Sequence, residues 1–450
     1  MQKMYRPDHF SNGCRQHYPG DQPDSKERRK ILVGGSIALS GAALLSGRRL
    51  ARAASADGEI RIGWITPRSG VLGLFNESDP YMLGVIRKAL ENGLEVGGKT
   101  YRVTIIDRDS QSNPARAAQL AQELITRENI HLMLTSSTPE TVNPVSDACE
   151  AAAVPSIATN CPLEAFYFGR GGEKGRFHWA FDMSFGIAQF GAGYLAQWPQ
   201  VQTNKKVAVM YPNDADGNGF RAALVPMLEK NGYQVIDPGA YTNGTTDFSS
   251  QIALFNRERC EIFNEVGMPN DIQVFWRQAA QQNFLRRLKI AQLTKSGFFT
   301  SQVAELGELG VGTCSLTVWS PVYPYRSPLT GLTSEELARG YEQATNRIWD
   351  NQQGQTLSVF EVAVHVLKQA ANPLDRNAIR EVIPTVDTMT IIGRINFKEG
   401  GPYPNTATTN MLGTQYVKTA PGSKFPLDRV IVDNAEDPNV PVQRKPVPYR

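Results

Sequence analysis

The chain has 450 residues, of which 41% are apolar, 20% charged and 9% aromatic, which excludes collagen-like, low-complexity and wholly disordered chains. Its net charge of +3 comes entirely from the first 53 residues, which hold ten basic and four acidic side chains. The remaining 397 residues carry −3 and offer no electrostatic footprint for nucleic acid.

Residues 31–45 (ILVGGSIALSGAALL) form an apolar run too short to span a bilayer comfortably, rich in Gly, Ala and Ser and bracketed by arginines. ERRKIL at 27–32 resembles a twin-arginine export signal, and Ala51-Arg52-Ala53 fits a small-x-small cleavage pattern. Residues 1–53 therefore read as a twin-arginine signal peptide cut after Ala53, implying export of a folded, soluble protein to the periplasm. Cys14 precedes the apolar run, so lipoprotein processing is not expected.

Beyond the leader, strands and helices alternate. Strands are expected at 59–65, 101–106, 130–134 and 154–159, with helices near 79–93, from Asn113-Pro114 to about 128, and through 146–153. The alternation restarts with strands at 205–211, 233–236, 261–266, 288–293 and 314–319, and helices at 220–231 and after Ser249. Helices at 333–351, 357–371 and 376–383 then lead into β-like segments and a Pro-rich tail from Ala435. Two successive βα units of this kind predict an α/β fold of two doubly wound parallel-sheet lobes, facing each other across a cleft. Ligands bind such sheets outside the carboxyl ends of the strands, beside helix N-termini.

No zinc-protease, phosphate-loop or nucleophile-elbow motif occurs in the mature chain, and no Cys or His spacing suits a metal. His131, His178 and His365 sit beside apolar residues and read as structural. Neither a cofactor nor an enzymatic activity is expected.

Six stretches in order are similar to the periplasmic substrate-binding proteins of ATP-driven (ABC) importers, nearest the leucine/isoleucine/valine-binding group and its amide- and urea-binding relatives. They are IGWITPRSG (62–70), DRDSQSNP (107–114), VPSIAT (154–159), YPNDADG (211–217), TDFS (246–249) with Gln251, and WSPVYPYRSP (319–328). The resemblance covers residues 59–420. It implies a type I periplasmic binding fold with a three-crossing hinge, near Phe181-Asp182, Ser320-Pro321 and 390–393. Lobe 1 would then hold 57–180 and 322–390, and lobe 2 would hold 181–321 and 391–450. The implied function is capture of a small polar solute, an amino acid or an amide- or urea-type compound. The protein, a monomer, would close on that solute and deliver it to permease and ATPase subunits. A sensory receptor module, or a secreted hydrolase using Asp214, Asp216 or Glu265, are the rival readings.

Candidate ligand contacts follow. In TSST (135–138), hydroxyls at a helix N-terminus suit a carboxylate, and the resemblance assigns Ser136, Ser137 and Thr138 to it. Thr159 would donate to the same group, with backbone near Ala158 meeting an amine. Asp216 and Glu265 offer negative charge to an ammonium or amidine, Asp214 reads as turn-forming, and Trp319, beside Pro321, is the aromatic expected to wall the cleft. Phe75 and Phe181 are among the aromatics read as core. The implied strand order in lobe 2, 2-1-3-4-5, separates Cys260 from Cys314 by one strand. Cys149 and Cys161 lie at opposite ends of a strand, so four free thiols are expected in the mature chain.

Overall fold

The computed structural model describes residues 56–449 apart from 175 and 176, so the leader and its Ala53 cut lie outside the described residues. The first strands are β1 (Gly58–Thr66), β2 (Leu94–Val96), β3 (Lys99–Asp109), β4 (Leu132–Ser136), β5 (Ser156–Thr159) and β6 (Ala180–Ser184). Next come β7 (Lys206–Met210), β8 (Gln234–Ile236), β9 (Ile262–Glu265), β10 (Ile290–Leu293) and β11 (Cys314–Thr317). The last third adds β12 (Asp387–Thr390), β13 (Gly393–Asn396), β14 (Thr406–Thr408), β15 (Leu412–Lys418) and β16 (Leu427–Asp433). One seven-stranded sheet runs β14-β6-β5-β4-β1-β3-β2, the other β16-β15-β11-β10-β9-β7-β8. The expected mixed α/β fold with two parallel-dominant sheets is observed.

The central strands β4, β5, β9 and β10 are buried at every position because helices cover both faces. The helix Pro114–Thr126 shows how sequence sets an element. The Asn113 side chain accepts the Arg116 N–H at 2.9 Å, and Pro114 supplies the first-turn φ. Ala117, Leu120, Ala121 and Leu124 then recur on one buried face. Each of those leucines contributes on the order of 2 kcal/mol of burial.

Sheet membership moves two of the expected crossings. β6 pairs with β5, so Phe181 and Asp182 are core of the first sheet, and the chain leaves it only after Ser184. β14 pairs with β6, and Ile391, Ile392, Ile395 and Phe397 join the first core, so residues 391–408 belong there. The last crossing therefore lies between Thr408 and Leu412. Strand pairing decides both boundaries, and local composition around 181 and 390 carries no trace of it.

Helix Ile187–Gln197 and helix Pro269–Gln281 were not anticipated. The first is rich in glycine because neighbours press close. A Cβ on Gly191 would stand 2.1 Å from the Met227 sulfur. Lobe 2 has the order β8-β7-β9-β10-β11, the implied 2-1-3-4-5, and Cys149, Cys161, Cys260 and Cys314 are all free and buried. His131 accepts the Arg61 N–H at Nδ1, whereas His178 is exposed rather than buried.

Candidate functional site

The carboxyl ends of β4 and β5 stand side by side, with Ser136 opposite Thr159 in the ladder. Ser137 and Thr138 lead into helix Pro139–Ala151, whose first-turn proline needs no hydrogen-bond partner. Thr138 occupies the N-cap with extended backbone (φ −71°, ψ 164°), yet its hydroxyl makes no capping bond. The Ser137, Thr138 and Thr159 hydroxyls are all buried and all without a partner in the chain. Asn160 follows in the left-handed region (φ 68°), its Nδ2 donating to Gln352 Oε1 at 2.6 Å while its Oδ1 is unpartnered. Buried polar atoms are normally satisfied, so such a group marks a place where a solute or ordered water completes the bonding.

From the second sheet comes an ion pair. Lys295 Nζ lies 2.6 Å from Asp216 Oδ2, and both side chains are nearly fully buried. Burial opposes the lysine's charge, but Asp216, Asp214 and Glu140 together hold its pKa above the ordinary lysine value. Burial raises the Asp216 carboxyl despite the pull of Lys295. Asp216 Oδ1 and Glu140 Oε2 have no partner. Asp214 is the N-cap of helix Ala215–Lys230: Oδ1 accepts the Gly217 N–H at 2.8 Å and Oδ2 the Asn243 amide at 2.9 Å. The turn-forming role expected for Asp214 is the observed one.

Thr138 and Asn160 from the first lobe meet Asp216 and Lys295 from the second around one small cavity. Five phenylalanine rings, Phe75, Phe185, Phe190, Phe220 and Phe298, supply its apolar wall. Phe75 reaches across from the segment after β1 and meets Phe299 edge-on at 5.0 Å. Two larger hollows adjoin it. One of about 520 Å³ shares Lys295 and is lined by Glu140 and Asp214; the other, of about 730 Å³, shares Asp216 and Phe220.

Three expected site residues stand elsewhere. Glu265 is wholly buried, and its carboxyl accepts the Gly267 N–H (2.5 Å), the Thr294 N–H (2.8 Å) and the Ser296 hydroxyl (2.5 Å). It holds the loop that carries Lys295, and burial pushes its carboxyl up to about 7. Trp319 lies in the first core, donating its indole N–H to Ser334 and crossing Trp349 at 88°. Ala158 is buried between Thr135 and Asp182 in the ladder, two residues before Asn160, which lines the cavity. Asp216 is found where expected, but as half of an ion pair and not as a free negative charge. Lys295 and Phe298 were missed. Their signal was a polar Thr-Lys-Ser step directly after strand β10, the counterpart of TSST at the carboxyl end of β4.

The sequence matches the family described as periplasmic binding protein over residues 59–420. An uncharacterized protein of Methanocaldococcus jannaschii is 22% identical over 239 residues, 53% of this chain, which spans only 56% of that relative's length. Among solved structures, the branched-chain amino acid binding protein LivJ of Streptococcus pneumoniae, in complex with isoleucine, superposes with a TM-score of 0.66 at 14% identity. The match covers 83% of this chain and 99% of that one. A solute-binding protein of Rhodopseudomonas palustris BisB5, in complex with 3,4-dihydroxybenzoic acid, gives 0.67 at 16% identity, over 84% and 99%. With two seven-stranded sheets meeting around a cavity of buried polar groups and phenylalanine rings and a family match across four-fifths of its length, the chain belongs to the periplasmic binding protein family and has its type I fold.

Proposed function

We propose that the protein is the solute-binding component of an ABC importer, working as a periplasmic monomer after twin-arginine export. It captures an α-amino acid with an apolar side chain, or a related amide, and passes it unchanged to a permease driven by ATPase subunits. The observation that carries this reading is the set of unpartnered buried polar atoms where the lobes meet. Ser137, Thr138 and Thr159 suit the carboxylate, with Asp216 Oδ1 and Glu140 Oε2 from opposite lobes for the ammonium. The phenylalanine rings suit the side chain. Isoleucine in LivJ is a ligand of this description. A second reading, an aromatic carboxylate without an amine, is favoured by the five rings beside the Lys295 cation, and dihydroxybenzoate in the Rhodopseudomonas protein is of that kind.

A thermal-shift screen across amino acids, amides, benzoates, polyamines, sugars and organophosphates tests both. A ligand at 100 times its dissociation constant stabilises the fold by about 2.7 kcal/mol. Apolar amino acids are expected to raise the melting temperature, less so in Thr138→Val and Thr159→Val. Benzoates acting alone would select the second reading. Sugars or organophosphates acting alone would overturn both.

A further inference from the structure

A pocket of about 310 Å³ on the hinge side shares no lining residue with the small cleft cavity. Ser320 and Pro321 of the middle crossing line it, with helix Ser334–Thr345 of the first lobe on one side and the β15–β16 hairpin of the second on the other. Arg429 is the residue that singles it out. This arginine lines the pocket and is 1% exposed, and among the described residues it forms no ion pair. Its Nη1 donates to the Gly297 and Phe298 carbonyls and to Asn351 Oδ1, each at 3.2 Å. Its Nε and Nη2 have no partner at all. The guanidinium carbon sits 5.0 Å over the Trp349 ring, which also lines the pocket.

A buried guanidinium with two idle donor atoms is poorly solvated, and although its charge pulls on the Asp350 and Asp428 carboxyls neither forms an ion pair with it, so a monoanion placed there gains a charge-assisted, planar pair. The wall also carries Glu342 and Asp428, both half-buried, whereas Arg339 and Glu335 pair with each other. Two carboxylates beside the arginine repel a dianion such as phosphate and favour a ligand bringing its own cation. Among the residues of the wall, Thr419, Ser423 and Gln443 add neutral polar groups.

We infer that this hinge-side pocket is a second ligand site, taking a small zwitterion of the amino-acid type with its carboxylate on Arg429 and its ammonium on Glu342 and Asp428. The pocket shares no lining residue with the small cleft cavity, which Arg429 meets only through the Phe298 carbonyl, and it does not depend on the solute proposed there.

Glycine is the probe, because it presents both end groups and has no side chain for the phenylalanine cavity. The full chain is titrated with glycine, acetate, methylammonium and inorganic phosphate while tryptophan emission is followed, with Trp349→Phe as the control that removes the local reporter. Glycine is expected to give a saturable change that Trp349→Phe abolishes, and to bind at least tenfold more tightly than acetate, methylammonium or phosphate. Glu342→Gln, on the half-buried rim, is expected to weaken glycine at least tenfold, and Arg429→Lys to weaken it further. No saturable change with glycine would overturn the assignment. So would unchanged glycine affinity in folded Glu342→Gln, or phosphate binding as tightly as glycine.

Discussion

Replacing Lys295 by methionine tests the buried pair at the heart of the cleft. Lys295 is 6% exposed and Asp216 4%, so the substitution keeps apolar bulk but leaves a carboxylate in a site that water barely reaches. Removing one member of a buried pair destabilises by ~3–5 kcal/mol. Here the loss depends on pH, because Asp216 can escape by binding a proton. A loss of ~4 kcal/mol relative to wild type corresponds to raising its folded pKa by about three units above the wild-type folded value, which burial has already lifted over the ordinary one. A carboxyl with a raised folded pKa gives its full stability below the unfolded pKa, and that stability fades as pH rises through the folded one. Lys295→Met should therefore be close to wild type at pH 4, within ~1 kcal/mol, and lose most of that ~4 kcal/mol by pH 8. Urea denaturation at pH 4, 6 and 8 reads this directly, with Asp216→Asn/Lys295→Met as the companion that removes both charges and recovers most of the loss at pH 8. An equal loss at pH 4 and pH 8, or a double variant no more stable than the single one, would refute the reasoning.

The wild-type protein has its own pH dependence. Burial pushes Glu265 and Glu361 up to about 7, and Asp79 and Asp350 up to about 6. The stability held by these groups is complete at low pH and drains away as pH rises through 6 and 7, so the urea midpoint should fall between pH 5 and pH 8. Asp107 and Asp109, whose carboxyls are held low, already contribute fully above pH ~4 and stay constant over that window. A midpoint that rises from pH 5 to pH 8 would contradict this. Gly354→Ala places a Cβ 2.2 Å from Trp319 Cγ in a fully buried contact, so it should destabilise by ~1–3 kcal/mol and shift tryptophan emission to the red. An unchanged urea midpoint would mean that the helix shifts to make room.

Part of the candidate site was legible because it depends on strand ends. TSST follows an apolar run and precedes Pro139, so its place at a helix start could be read from residue types alone. Whether Thr138 caps that helix or keeps its hydroxyl free could not, since both need the same residue at the same position; the backbone geometry leaves it free. Glu265 shows the opposite limit. A carboxylate at a strand end was singled out for the cleft, but its partners, Thr294 and Ser296, lie some thirty residues away on the next strand's loop.

Local pattern determined the alternation of strands and helices, the two-lobe plan and the Asn113 and Asp214 caps, whereas the free cysteines rested on the strand order that the family resemblance implies. The first three follow from periodicity and capping chemistry, which act over a few residues. Tertiary structure alone decided where the chain passes between sheets, because β6 and β14 find their places only by pairing with each other and with β5. It also decided the charge of the cleft. Asp216 and Lys295, 79 residues apart, neutralise one another only because parallel strands bring the ends of β7 and β10 to the same edge of one sheet. A charge's meaning is set by its neighbour within a few ångströms, and sequence distance says nothing of that.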